Sequence, residues 1–112
     1  MNTILHITKR KQWEQAKLAG IYQSESFESE GFIHCSTPQQ ITRVANYIFA
    51  NQTGLVLLFI NPEKVKAEIR YENTELDELF PHIYGALNID AVFKVIDFEP
   101  NEDGLFRLPK EV

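Results

Sequence analysis

The apolar positions along this 112-residue chain change period from segment to segment, and those changes mark its elements. Ile41, Val44, Ala45, Ile48 and Phe49 fall at i, i+3, i+4, i+7 and i+8, which is one face of an amphipathic helix. Before it, Thr37-Pro38-Gln39-Gln40 reads as a capping box, with Thr37 at the cap, Pro38 at the first helical position and Gln40 reaching back. Residues 55–60 (LVLLFI) are a continuous apolar run of strand length, expected as a central strand covered on both faces.

The other segments are shorter. Residues 3–7 (TILHI) suit a first strand. Thr8 can cap a helix over 9–19, with Gly20 as its left-handed exit and Trp13, Ala16 and Ala19 or Gly20 on its buried side. Residues 21–30 carry three serines and three glutamates, which predicts an exposed loop, and 31–36 (GFIHCS) a second strand. Residues 67–72 alternate, as a strand with one wet face does, and 73–78 read as an acidic loop. A further alternating stretch over 89–98 leads through Asn101-Glu102-Asp103-Gly104 to a short last strand at 105–108. Two helices and five or six strands without a strict βαβ rhythm predict a single α+β domain over 1–112. Its sheet is expected to be small, mixed and mainly antiparallel.

Composition narrows the classes of function. Apolar residues make up 44% and charged residues 24%, as in ordinary globular domains, and a chain this short builds one core rather than two. The net charge of −5 disfavours DNA as a partner, because Lys9-Arg10-Lys11 is the only basic run and reads as a solvated helix start; RNA stays open. No apolar stretch approaches a membrane span, and the N-terminal charges follow the apolar residues, the reverse of a secretory signal. With one cysteine there is no internal disulfide, and a cytoplasmic location is expected.

The candidate chemistry lies in three histidines, His6, His34 and His82, each within an apolar, strand-like segment. Alternation puts His34 and Ser36 on one face with Phe32, and Ile33 and Cys35 on the other, so Cys35 reads as a small buried hydrophobe. Separations of tens of residues match no short zinc-ligand spacing, so no metal is expected. In Phe80-Pro81-His82-Ile83-Tyr84-Gly85, His82 and Tyr84 face one side and Gly85 permits close approach of a ligand or a backbone; otherwise the string is a bent edge strand. Arg70 and Glu72 share a strand face, as a surface pair or with Arg70 as an anion anchor.

The strings ILHIT, GFIHCST, Val44-Ala45-Asn46 and FPHIYGALNIDAV, with Trp13, Gly20 and Tyr22, resemble a family of short bacterial proteins known as domain of unknown function 952. That family has no established activity. More distantly, Ile4-Leu5-His6-Ile7-Thr8 followed by a helix and a loop resembles the opening of the ADP-ribosyltransferase fold. That resemblance implies NAD as ligand, with His6 on a ribose hydroxyl and Ser36 or Thr37, with Tyr47, near the nicotinamide end. Glu78, His82 or Tyr84 stands where the family's glutamate offsets the charge of an oxocarbenium ion. Arg70 or Arg43 is left to meet a phosphate. The expected site is thus a cleft of His6, His34, Ser36, Thr37, Arg70, Glu78, His82, Tyr84 and Gly85, binding a nucleotide-like or phosphorylated ligand, with glycosyl or ADP-ribosyl transfer as its chemistry. The alternative is a non-catalytic binding or protein-interaction module with structural histidines.

Overall fold

The computed structural model describes residues 2–73 and 77–112, without the side chains at 25 and 26. In chain order the elements are β1 (Ile4–Lys9), α1 (Arg10–Ala19), β2 (Ile21–Tyr22), α2 (Glu25–Glu30), β3 (Ile33–His34), α3 (Ile41–Ile48) and β4 (Leu55–Ile60). They continue with β5 (Glu68–Asn73), β6 (Leu79–Tyr84), β7 (Leu87–Asn88) and β8 (Val92–Phe98), and 3-10 turns occupy Pro62–Lys64 and Ile89–Ala91. The fold is α+β, and every strand pair among the described residues is antiparallel.

The strands form three small sheets, ordered β1-β4-β8, β2-β7 and β3-β6-β5. As the apolar run requires, β4 is the middle strand of the first sheet and all six of its residues are buried. Alternation divides it. Val56, Leu58 and Ile60 join Ile4 and Trp13 in one apolar cluster, while Leu55, Leu57 and Phe59 join Leu5, Ile7, Ile41 and Ala45 in another. The single core expected from chain length is therefore parted into two by the sheet, with α1 on one side and α3 on the other. The third sheet turns Ile33, Cys35 and Ile83 into the first cluster. Its even-numbered positions thereby face away from the core.

Several expectations need correction here. Thr8 does not cap α1. The strand runs on to Lys9, paired with Leu55, and the helix starts at Arg10 without a side-chain cap. Gly20 does end it, at φ +88°, but Ala19 and Gly20 are exposed and only Trp13 and Ala16 are buried. The stretch 21–30 is not a loop: its first two residues pair with β7, burying Tyr22, and a third helix follows. Nor do residues 105–108 form a strand. Phe106 is buried against the Phe98 ring, its N–H donates to Asn46 Oδ1 (2.6 Å) and its carbonyl accepts from Asn46 Nδ2 (3.1 Å). One asparagine satisfies the backbone groups that a ladder would otherwise have satisfied.

The capping box forms in part. The Thr37 N–H donates to Gln40 Oε1 at 3.0 Å, but residues 38–40 make a turn and the helix begins only at Ile41. The predicted loop over 73–78 lies in its middle outside the described residues. The last correction concerns β6, which is no edge strand: it lies between β3 and β5. Pro81 is accommodated there because its carbonyl still accepts from the Cys35 N–H at 3.0 Å, so only a donor is forfeited.

Because β4 is covered on both faces, truncation within it leaves a void that neighbours cannot fill. Leu57→Ala is expected to lower stability by about 2–5 kcal/mol, read as a shift of the urea midpoint at unchanged slope.

Candidate functional site

The site begins at a seam between sheets. β1 is an edge strand of the first sheet, and its outer side meets the segment after β3 at a single bridge, Leu5 with Ser36. The two backbones exchange hydrogen bonds there at 2.7 and 2.8 Å. On either side of that bridge the strands part, and a cavity of about 720 Å³ opens between β1, the 32–36 segment, β6 and helix α3.

His6, His34, Ser36 and His82 all line this cavity. The four convergent residues reach it by alternation. The face of the third sheet turned from the core carries Phe32 and His34 before and on β3, Phe80, His82 and Tyr84 on β6, and Glu68, Arg70 and Glu72 on β5. Register places His82 directly opposite both His34 and Arg70. The His34 and His82 rings are 5.1 Å apart, and Phe32 stacks on His82 at 4.2 Å and 21°.

The three histidines are partnered differently. Nδ1 of His6 donates to the His34 carbonyl at 2.5 Å, and Nε2 lies 2.8 Å from the Tyr22 hydroxyl, which is in turn 2.9 Å from Thr8 Oγ1. Burial drives the His6 pKa down to about 4, so the ring is neutral at physiological pH. With Nδ1 donating, Nε2 is the nitrogen that faces the Tyr22 hydroxyl. His6 therefore holds the His34 backbone in place with both of its nitrogens occupied. His34 itself is half-exposed, with Nε2 3.1 Å from Glu30.

His82 is buried, and Nδ1 lies 2.9 Å from Glu72 Oε1. A carboxylate only accepts, so a proton sits on Nδ1, which is the tautomer whose other nitrogen, Nε2, is an acceptor. That atom is out of contact with solvent and has no partner among the described residues. The Tyr84 hydroxyl also donates to Glu72, at 2.5 Å. These two hydrogen bonds, Tyr84's first, hold the Glu72 carboxyl below its ordinary pKa, and the same contact pushes the Tyr84 phenol up. Glu72 is thus an ionised acceptor fixing the His82 tautomer.

The other expected site residues lie elsewhere. Glu78 is gripped by Arg43 through two hydrogen bonds (2.7 and 2.8 Å) and by Gln40 (3.1 Å), outside the cavity lining. The Arg43 contact foremost keeps its pKa low. Arg70 does not pair with Glu72; it bonds Glu68 at 3.0 Å and lies 4.4 Å over the Tyr84 ring. The room beside Gly85 is taken by Ala67, whose Cβ would come within 2.8 Å of a side chain there, so the close approach it permits is that of β5's neighbouring backbone. Thr37 and Tyr84 are likewise outside the lining, whereas Tyr47 belongs to it and is exposed. Cys35 is buried, and burial pushes its thiol pKa up, as a small hydrophobe's environment does.

Sequence reasoning missed Tyr22, Glu30 and Glu72 as site partners. Tyr22 sits in a segment whose charge suggests a loop, and Glu72 reaches His82 only through the β5–β6 register.

A small α+β domain with a histidine-lined cavity at a sheet seam is the class that this geometry defines. The chain belongs to the family described as protein of unknown function DUF952, whose profile matches residues 7–95. It is similar to CC0527 from Caulobacter crescentus. The crystal structure of that protein superposes with a TM-score of 0.87 at 31% identity, covering 95% of this chain and 94% of that one. Its solution NMR structure gives 0.86 at 30% identity, covering 100% and 97%. No curated protein matches the chain. Among the described residues no helix is long and apolar enough to cross a membrane, and no group of three metal-ligating side chains comes together.

Two outcomes follow from these environments. His6 binds a proton in the unfolded chain near pH 6.5 but in the folded one only near 4, so stability is fully present above pH 6.5 and falls as pH drops toward 4. That loss is expected to reach about 3 kcal/mol at pH 4 and to be absent from the pH profile of His6→Gln, measured by urea unfolding. Cys35 is expected to resist iodoacetamide in the folded protein and to react fully once the chain is unfolded, as mass spectrometry will show.

Proposed function

We propose that the chain binds a nucleotide-like small molecule in the cavity between β1, β6 and α3, with His82 as the group that exchanges a proton with it. The observation carrying this reading is the His82 ring itself: its tautomer is set by an ionised Glu72, and its buried Nε2 has no partner among the described residues. A carboxylate-oriented imidazole with one nitrogen open is the arrangement that general acid–base catalysis uses. The cavity volume lies within the range of small-ligand sites, and Tyr22, Phe32, Tyr47 and Phe80 supply aromatic walls for a planar ring.

The transfer reading, glycosyl or ADP-ribosyl transfer with NAD as donor, assigns roles differently from the family resemblance. His6 has both nitrogens occupied, so the ribose hydroxyls fall to His34 and Ser36. With Glu78 held by Arg43, the carboxylate offered to a developing positive charge is Glu30, which lines the cavity beside His34.

Titration of NAD and of ADP-ribose into protein labelled at its histidine rings tests the reading. The His34 and His82 signals are expected to shift at submillimolar to millimolar ligand while those of His6 stay in place. If neither ligand moves any of the three, the nucleotide reading fails.

A further inference from the structure

We infer that the floor of the cavity takes an uncharged planar ring bearing an N–H donor, hydrogen-bonded to Nε2 of His82, with any phosphate left at the outer rim. The inference rests on the ligand-binding reading above and sharpens it to which end of the ligand goes in.

The first argument is the tautomer. Glu72 holds a proton on Nδ1 of His82, and in that tautomer Nε2 carries a lone pair that a donor satisfies. An unpaired buried acceptor in a low-dielectric site selects strongly for the group that completes it. The second is shape and contact. Phe32 already stacks parallel to the His82 ring at 4.2 Å, and Phe32 is only half-buried. A flat ring that enters in the plane of the imidazole meets Nε2 with its edge and packs against the Phe32 wall of the cavity.

The third is charge. Apart from the histidines, Lys9 and Glu30 are the charged side chains among the described lining residues, and they cancel. Glu72 stands behind His82, adding a negative charge next to the floor. The cations that could meet a phosphate are tied elsewhere: Arg43 to Glu78, Arg70 to Glu68. A polyanion has no cradle at the floor, whereas Lys9, exposed at the end of β1, can meet one at the rim.

The test compares three probes on the intact protein: adenosine, purine riboside, which lacks only the exocyclic amine, and adenosine 5′-monophosphate. Adenosine is expected to bind about tenfold more tightly than purine riboside, with the monophosphate within a few-fold of adenosine. The gap between adenosine and purine riboside closes in His82→Phe, which keeps an aromatic ring against Phe32 and removes the acceptor. Nitrogen-15 spectra of the wild-type protein, which do not depend on the variant folding, are expected to show His82 protonated on Nδ1 in the free state and Nε2 shifting on adenosine binding.

Equal affinity for adenosine and purine riboside, a monophosphate tenfold tighter than adenosine, or a free-state proton on Nε2 each overturns the inference. So does an Nε2 signal that adenosine leaves unmoved, which would mean an ordered water completes the site. If NAD or ADP-ribose binds but adenosine does not, the cavity reading survives and this inference fails; if none binds, both fail.

Discussion

The site depends on a pairing that stops almost as soon as it starts. β1 presents an open edge, and a strand edge is normally a row of backbone groups seeking partners. Here, among the described residues, the backbone of the neighbouring segment pairs with it at Leu5 and Ser36 alone. Had the ladder continued toward Thr8, β1 would have closed onto the third sheet and left no room. Because it ends, helix α3 and the faces of β1 and β6 surround a space instead of a seam. His6 spans the gap near the bridge, tying the His34 carbonyl to Tyr22 across the parting sheets.

The two buried histidines show how one residue type is used in opposite ways. His6 is enclosed by groups that complement it on both sides, so its burial is a matter of structure, and the neutral ring acts as a rigid strut. Among the described residues His82 is complemented on one side only. A buried polar atom without a partner is unfavourable by roughly 1–3 kcal/mol, and proteins carry such atoms where something else supplies the missing contact. The Glu72–Tyr84–Arg70 assembly on the outer surface of the same sheet keeps this imbalance in place.

Much of the fold was legible because the signals were local. The 3.6-residue stripe placed α3, the uninterrupted run placed β4, and alternation in GFIHCS and FPHIY correctly divided Cys35 and Ile83 from the histidine-bearing face. The convergence of His6, His34, Ser36 and His82 followed from their sharing short strands with apolar neighbours. The failures were non-local. Glu78 is adjacent in sequence to the expected site, yet Arg43, 35 residues away, claims it. Arg70 and Glu72 lie on one face, but Glu72 reaches diagonally across the strand pair to His82, and Arg70, directly opposite His82, bonds Glu68 instead. Residues 105–108 have a strand's composition and lack a strand because Asn46, on α3, meets the backbone first. No periodicity within a segment carries these facts.

The strict division of the third sheet into an odd face and an even face also limits how the gene can vary. Substitutions change one position, but inserting or deleting a single residue within 32–36 or 79–84 would exchange the faces wholesale, sending Ile33 or Ile83 outward and His34 or His82 into the core. Length variation among relatives should therefore gather in the connections between strands and be scarce within these two. In this protein the reading frame of the side chains, odd against even, is as much a part of the site as the histidines themselves.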